Sequence, residues 1–158
     1  MIWDGSPFGG AKMAAIFGDA LLVYARDDIT GIPFPGMLDL PGGGREGSES
    51  PAMCACRELH EEFGLTLPES RLWWARPFPS LHPPGGTGWF LAANITQAEV
   101  ASIRFGNEGH SPQLLGIDAF LAANDAIAPL QLRLRLVLET PGNSTVSQYH
   151  RPKTPLLP

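Results

Sequence analysis

Residues 43–65 have the sequence GGREGSESPAMCACRELHEEFGL, and this segment indicates a helix with a definite beginning and end. Ser50 is a favourable N-cap, and Pro51 takes the first helical position, where a proline loses no hydrogen bond. Gly64 suits the left-handed conformation that closes many helices. At about 100° per residue, the apolar side chains of the predicted helix 51–63 form one stripe. That stripe consists of Ala52, Ala55, Leu59 and Phe63.

Three glutamates of this helix, Glu58, Glu61 and Glu62, fall within an arc of about 100° beside the apolar stripe. Each like-charged pair at this spacing costs roughly a few tenths of a kcal/mol. A divalent cation such as Mg²⁺, which prefers oxygen ligands, would remove that repulsion. The alternative is a solvated acidic face. Two features disfavour it: Arg57 is the only lysine or arginine in the helix, and the preceding glycine-rich turn lets the backbone approach a ligand closely.

The same segment resembles the Nudix box, G-x5-E-x7-R-E-U-x-E-E-x-G-U with U aliphatic, at every fixed position. The matching residues are Gly43, Glu49, Arg57, Glu58, Leu59, Glu61, Glu62, Gly64 and Leu65. A match at so many positions is far more specific than a lone glycine motif. The resemblance extends over about residues 13–139 and implies the Nudix fold, an α/β/α sandwich with a mixed β-sheet.

The resemblance implies a metal site. Glu58, Glu61 and Glu62 are expected to bind the cation, and Glu58 is also a candidate general base for an attacking water. Gly42 is similar to the glycine whose backbone carbonyl joins the metal in MutT-type members. Mg²⁺ is the expected cofactor, with Mn²⁺ as an alternative.

Other residues are implied to position this site or to contact the substrate. Glu49 and Arg57 are expected to tie the loop to the helix and so hold the ligands in place, and Gly43 belongs with the binding residues. Arg26 resembles a basic residue that contacts a substrate phosphate, although a solvated arginine at a strand end is an equal alternative. Glu108 resembles a further metal carboxylate supplied by a loop, and the alternative is an exposed glutamate in a turn.

Outside this segment, apolar runs alternate with loops rich in glycine and proline. Strands are predicted at residues 13–17, 20–25, 37–40, 71–75 and 87–95, and the first two form a hairpin. Residues 42–44 are predicted to be a very flexible turn, and residues 105–112 a loop. Helices are predicted at 97–102, 118–124 and 127–138. Residues 1–12 are expected to form an arm, residues 13–139 the domain, and residues 140–158 a poorly ordered tail.

Composition restricts the partners. With 11 basic and 16 acidic residues, the net charge is −5, which disfavours duplex DNA and anionic membranes. No segment approaches the ~20 apolar residues of a membrane span, and no signal peptide is expected.

Cys54 and Cys56 lie on nearly opposite sides of a helix and cannot pair with each other, so free thiols and a cytoplasmic location are expected. An extended tail could also pack on a second copy of the chain, as in a homodimer.

These observations predict a Mg²⁺-dependent hydrolase that cleaves a phosphoanhydride bond of a nucleoside diphosphate-linked substrate. A nucleoside triphosphate, ordinary or oxidised, is the favoured substrate, giving the monophosphate and pyrophosphate. One alternative is a nucleotide-sensing module with the Nudix fold and no turnover; another is an isopentenyl diphosphate isomerase. The intact box disfavours both. Trp73, Trp74 and Trp89 could stack on a base but more often pack in a core. His82 could reach the substrate, and His60 is expected to be exposed and inert.

Overall fold

The computed structural model describes residues 3–140, within which seven strands form one mixed sheet. The strands are β1 (Gly10–Phe17), β2 (Ala20–Ala25), β3 (Leu38–Asp39), β4 (Gly42–Gly44), β5 (Leu72–Pro79), β6 (Thr87–Asn94) and β7 (His110–Gly116). Five of them follow the order β3-β2-β1-β6-β5, while β4 also pairs with β1 and β7 with β2. The sheet is mixed because β1 runs parallel to β6 and antiparallel to β2.

In the part of the chain that the structure describes, four α-helices cover the two faces of this sheet: α1 (Pro51–Phe63), α2 (Gln97–Ala101), α3 (Ile117–Ala122) and α4 (Ala128–Leu138). Alternate residues of β1 point to opposite faces, so Met13 joins the apolar cluster that contains α1, and Ile16 joins the cluster that contains α3 and α4. This arrangement confirms the predicted α/β/α sandwich.

Helix α1 has the predicted ends and the predicted buried stripe. The Ser50 side chain accepts a hydrogen bond from the Met53 backbone N–H at 3.1 Å. Gly64 closes the helix with φ 68°, and its N–H donates to the His60 carbonyl at 2.8 Å. The four apolar residues predicted to face the core are all buried. The caps and the buried stripe therefore fix the position of α1, and with it the positions of its glutamates, relative to the sheet.

The prediction of a flexible turn at residues 42–44 is wrong, because these glycines form strand β4 and pair with Gly10–Lys12 of β1. A Cβ added to Gly42 would overlap the Ala11 carbonyl and the Lys12 Cα. The glycines thus allow two backbones to approach closely, and the run of three reflects packing rather than flexibility.

Strand β7 is a second difference, since it occupies part of the predicted loop at residues 105–112. It pairs with β2, but most of its side chains are exposed and it contains Pro112. An edge strand of this kind lacks the alternation of buried and exposed residues by which a strand is found in a sequence. Strand β1 also begins at Gly10, three residues before the predicted start and inside the predicted arm.

The expectation of a poorly ordered tail concerns residues 141–158, which lie outside the described residues. Thr140, the first residue of that predicted tail, accepts a hydrogen bond from Trp74 Nε1 at 2.8 Å. Cys54 and Cys56 are both free, as expected. No helix within residues 3–140 has the length and apolar character needed to cross a membrane.

Candidate active site

A cavity of about 450 Å³ lies where the start of β1, strand β4 and helix α1 meet the loop between β5 and β6. It brings together most of the predicted site residues, namely Arg26, Gly42, Gly43, Glu58, Glu62 and Glu108. Glu49, Arg57 and Glu61 are not among its lining residues.

Two glutamates of α1 form one end of the cavity. Glu62 is only 9% exposed, and its Oε2 accepts a hydrogen bond from the Gly42 N–H at 3.1 Å. Burial raises the pKa of Glu62 to about 8, although Lys12 and the Gly42 N–H oppose the shift. Burial also raises the pKa of Glu58, against the opposing effect of Arg57. The protein therefore holds two carboxylates where ionisation is disfavoured unless a positive charge is nearby.

The backbone of β4 lies directly against one of these carboxylates. A Cβ added to Gly43 would overlap the Glu58 carboxylate, so only a glycine leaves this carboxylate in place. The Gly42 carbonyl accepts a hydrogen bond from Lys12 Nζ at 3.0 Å and retains a second lone pair. The buried Glu62 carboxylate, the half-buried Glu58 carboxylate and the Gly42 carbonyl are oxygen ligands, and this set fits a hard divalent cation.

Arg57 connects the loop before α1 to the helix, as expected for the Glu49–Arg57 pair. Its Nε donates to Glu49 Oε1 at 2.6 Å and its Nη2 to the Gly44 carbonyl at 2.7 Å. The guanidinium also holds Glu58 Oε1 at 3.0 Å and Glu61 Oε2 at 3.1 Å. These contacts restrain the Glu58 carboxylate, which lines the cavity.

Glu61 differs from the other two glutamates, because its side chain is 53% exposed and lies against Arg57. Within residues 3–140, no three His, Cys, Asp or Glu side chains are grouped so as to hold a metal ion. A role for Glu61 as a cation ligand requires that its carboxylate leave Arg57, and this role stays a prediction.

A buried ionic cluster, unanticipated from the sequence, supports the floor of the cavity. The Asp39 carboxylate is fully buried, and its Oδ2 lies 2.8 Å from Lys12 Nζ and 2.9 Å from Arg26 Nη1. Tyr24 donates its hydroxyl to the same oxygen at 3.2 Å. Burial opposes ionisation of Asp39, but the two cations more than offset it and hold its pKa below the usual value. Arg26 is therefore held by a carboxylate, and is not a solvated arginine.

Glu108 reaches the cavity from the loop between α2 and β7. The neighbouring Gly109 N–H donates to Asp27 Oδ2 at 3.2 Å, which ties this loop to the segment after β2. The structure thus brings Glu108 to the cavity that holds Glu58 and Glu62. Its part in binding a cation or activating water stays a prediction.

Some of the tryptophan and histidine candidates line the cavity and others do not. Trp89 and His82 line the cavity, whereas Trp74 packs in the core beside α4 and Trp73 is 36% exposed. Burial, together with Lys12 and Arg26, lowers the pKa of His82. His60 is exposed, as expected.

The sequence reasoning missed Lys12, Asp39 and Arg133, all of which are buried. Each is a single charged residue in an apolar run: Lys12 within β1, Asp39 between Leu38 and Leu40, and Arg133 on the apolar side of α4. A lone charge at a position that periodicity assigns to the core was the available signal, because such a charge is rarely buried without a partner.

Comparison with known proteins identifies one family. The family model described as the NUDIX domain matches residues 10–133. Among curated protein sequences, no significant match was found.

Several solved structures share the fold. One is a MutT protein from Methanosarcina mazei, with 16% identity, a TM-score of 0.63, and coverage of 83% of this chain and 94% of that chain. Another is a MutT NUDIX hydrolase from Burkholderia pseudomallei, with 18% identity, a TM-score of 0.63, and coverage of 81% and 95%.

A third is a bifunctional NMN adenylyltransferase/ADP ribose pyrophosphatase from Francisella tularensis, complexed with AMP and a manganese ion. Its identity is 18% and its TM-score 0.62, over 84% of this chain and 42% of that chain. This chain thus spans less than half of the Francisella protein. At such identities the likeness concerns the fold.

Proposed function

We propose that this chain, which belongs to the Nudix family of hydrolases, cleaves a phosphoanhydride bond of a nucleoside triphosphate and requires Mg²⁺ or Mn²⁺. The observation that carries the proposal is a pair of carboxylates, the buried Glu62 and the half-buried Glu58, that line a cavity large enough for a nucleotide. Glu108 and Arg26 line the same cavity. A cavity that results only from imperfect packing is lined by apolar side chains, whereas this cavity is lined by charged ones.

The cation would be held by Glu58, Glu62 and the Gly42 carbonyl, with Glu61 and Glu108 as further candidate ligands. When bound, a divalent cation supplies charge to phosphate oxygens and lowers the pKa of water. Arg57 and Glu49 hold the loop and Glu58 in place, so the oxygen donors are arranged before the substrate arrives. Arg26, held at 2.9 Å by Asp39, adds a positive charge on the substrate side.

In the proposed reaction, water attacks either the α- or the β-phosphorus, the two atoms that flank the α–β bridging oxygen of the triphosphate. The bond from that phosphorus to the bridging oxygen breaks, and the products are the nucleoside monophosphate and pyrophosphate. The proton released by the water passes to a carboxylate, for which Glu58 and Glu108 are the candidates.

Support for a triphosphate comes from the position of Glu108 on the same cavity and from fold relatives described as MutT proteins. The Francisella relative, a bifunctional protein of which this chain covers 42%, was crystallised with AMP and a manganese ion, a nucleotide and a divalent cation of the proposed chemical classes.

The test is a hydrolysis assay on the purified full chain. Nucleoside and deoxynucleoside triphosphates, an oxidised guanine triphosphate, a dinucleoside polyphosphate and a nucleotide sugar are incubated with Mg²⁺, with Mn²⁺ or with EDTA. Products are separated by anion-exchange chromatography. We expect monophosphate and pyrophosphate from a triphosphate with either cation, and none with EDTA.

The site is tested with the variant Glu62→Gln. This substitution keeps the side-chain shape and can still accept the Gly42 hydrogen bond, but it removes one ligand charge. Its turnover should fall to background with the fold intact by circular dichroism. Turnover within threefold of wild type at saturating Mg²⁺ would contradict the proposed site. Nucleotide binding without any turnover by the wild-type chain would instead favour a sensing module.

A further inference from the structure

Arg133 is a buried cation without a carboxylate partner among residues 3–140. The residue is 6% exposed and lies on α4 among Leu130, Leu134 and Val137. Its Nη2 donates to the Pro79 carbonyl at 2.8 Å, and its guanidinium carbon lies 4.7 Å from the centre of the Phe78 ring. Within residues 3–140, no carboxylate oxygen lies within 4.0 Å of it.

Burying a charge without a paired carboxylate raises the free energy of the folded protein. An arginine keeps its charge at all ordinary pH values, although burial lowers the pKa of Arg133. The other two cations of the cavity, Lys12 and Arg26, share the Asp39 carboxylate. Arg133 has five N–H donors, and one hydrogen bond accounts for one of them. Arg133 lines the cavity, where a ligand could accept hydrogen bonds from its remaining donors.

The position of Arg133 indicates which part of a nucleotide it would meet. Glu58 and Glu62 belong to α1 on one face of the sheet, whereas Arg133 belongs to α4 on the other face. Both helices reach the same cavity. A nucleotide whose phosphates lie at Glu58 and Glu62 would extend its base towards the other face of the sheet, to which Arg133 belongs.

The chemistry of a guanidinium then selects among the bases. It offers only donors, in a planar fork that matches two adjacent acceptors. Guanine presents such a pair in O6 and N7, whereas adenine pairs its N7 acceptor with an N6 donor. In 8-oxoguanine N7 carries a hydrogen, so that pair is also lost. The remaining lining of the loop between β5 and β6 is apolar in part, with Leu81, Pro83 and Pro84.

We propose that Arg133 binds the O6 and N7 edge of guanine and makes this cavity selective for unoxidised guanine nucleotides. This inference rests on the proposed function, because it takes the phosphates to lie at Glu58 and Glu62.

The first test changes the substrate and leaves the protein intact. Initial rates of the wild-type chain are measured with GTP, ATP, 8-oxo-GTP and 7-deaza-GTP, in which a C–H replaces N7. We expect kcat/KM for GTP to exceed that for each of the other three by about tenfold or more. Equal values for GTP and 7-deaza-GTP, or a preference for 8-oxo-GTP, would overturn the inference.

The second test uses Arg133→Met and Arg133→Lys, with Arg135→Met as the matched control. Arg135 is an exposed arginine on the same helix. Arg133→Met should lose the preference for GTP with little change in kcat/KM for ATP. Arg133→Lys should also lose most of it, because a lysine cannot form the fork. Arg135→Met should behave as wild type. A loss of the same size for GTP and ATP would assign Arg133 to phosphate binding or to stability alone, and would overturn the inference.

Failure of the proposed function can be distinguished from failure of the inference about Arg133. If the wild-type chain hydrolyses no nucleotide, calorimetric titration with GMP, 7-deaza-GMP and AMP still tests the base subsite. Tighter binding of GMP than of the other two would support the role of Arg133. Equal or undetectable binding of all three would overturn it.

Discussion

Asp39 is fully buried, and its carboxylate forms ion pairs with both Lys12 and Arg26. We predict that Asp39→Asn lowers the free energy of unfolding at pH 7 by about 3–5 kcal/mol, because it leaves a buried ammonium without its partner. Urea denaturation of both proteins measures the difference. Asp28→Asn, at an exposed aspartate, is the control and should change stability by less than about 0.5 kcal/mol.

The same difference should depend on pH in one direction. The pKa of Asp39 in the folded protein lies below its usual value, so its stabilising effect is complete above the unfolded pKa of about 3.9. It is lost as the pH falls through the folded pKa. The gap between wild type and Asp39→Asn should therefore be constant from pH 5 to pH 7 and shrink below about pH 4. A gap that widens towards acid would contradict this account.

Glu108 allows a separate prediction at the same scale, because it is exposed and still lines the cavity. If its carboxylate binds a cation or activates water, Glu108→Gln should lower kcat by about tenfold or more. The melting temperature in EDTA should be unchanged, since an exposed side chain contributes little to stability. Glu69→Gln, at an exposed glutamate outside the cavity, should change neither quantity. Wild-type turnover by Glu108→Gln across a Mg²⁺ titration would leave Glu58 as the candidate base.

Strand β4 is the element that sets the distance between the backbone and the catalytic end of α1. A Cβ on Gly43 would meet the Glu58 carboxylate, which is the far end of a movable side chain, whereas the nearest atom to a Cβ on Gly44 is 4.0 Å away. We predict that Gly43→Ala displaces Glu58 and lowers kcat/KM by about tenfold or more. Its melting temperature should fall only slightly, because no backbone atom has to move.

Gly44→Ala is the matched control, one residue further along the same strand. It should retain the melting temperature and the turnover of wild type. Steady-state kinetics over a range of Mg²⁺ concentrations, with thermal denaturation in EDTA, separates the two effects. Equal activity of the two variants would show that the close approach at Gly43 does not position Glu58.

For the whole molecule, the consequence of burying Glu58 and Glu62 together is that a bound cation should stabilise the fold. Each carboxylate raises the free energy of the other when both are charged, and burial adds to the cost. A cation at about one hundred times its dissociation constant would add about 2.7 kcal/mol. For a domain of this size, that corresponds to a rise in melting temperature of roughly 5–10 °C.

Differential scanning fluorimetry with Mg²⁺, Mn²⁺ and EDTA measures this rise. Glu62→Gln should lose the response to both cations and melt in EDTA no lower than wild type, since it removes a buried group whose ionisation is unfavourable at this position. A rise of the same size in Glu62→Gln would place the stabilising cation elsewhere on the molecule.

The fold was largely predictable from local signals. Ser50, Pro51 and Gly64 determined the ends of α1, and the spacing of Ala52 and Phe63 determined its buried side, because caps and periodicity act within a few residues along the chain. The Glu49–Arg57 contact was predictable from the resemblance to the family pattern and not from caps or periodicity. Strand β7 was not predictable, since its pairing with β2 leaves most of its side chains in solvent.

The tertiary structure alone decided how the charged residues are grouped. Glu58, Glu61 and Glu62 share an arc on an isolated helix, yet packing buries Glu62 beside Gly42 and leaves Glu61 exposed against Arg57. Lys12 and Asp39 are 27 residues apart in sequence but form one buried ion pair, and Arg133 reaches the cavity from the last described helix. Periodicity gives the direction of a side chain around its own helix or strand. Which charge it meets depends on how the layers pack, and residues far apart in the chain determine that packing.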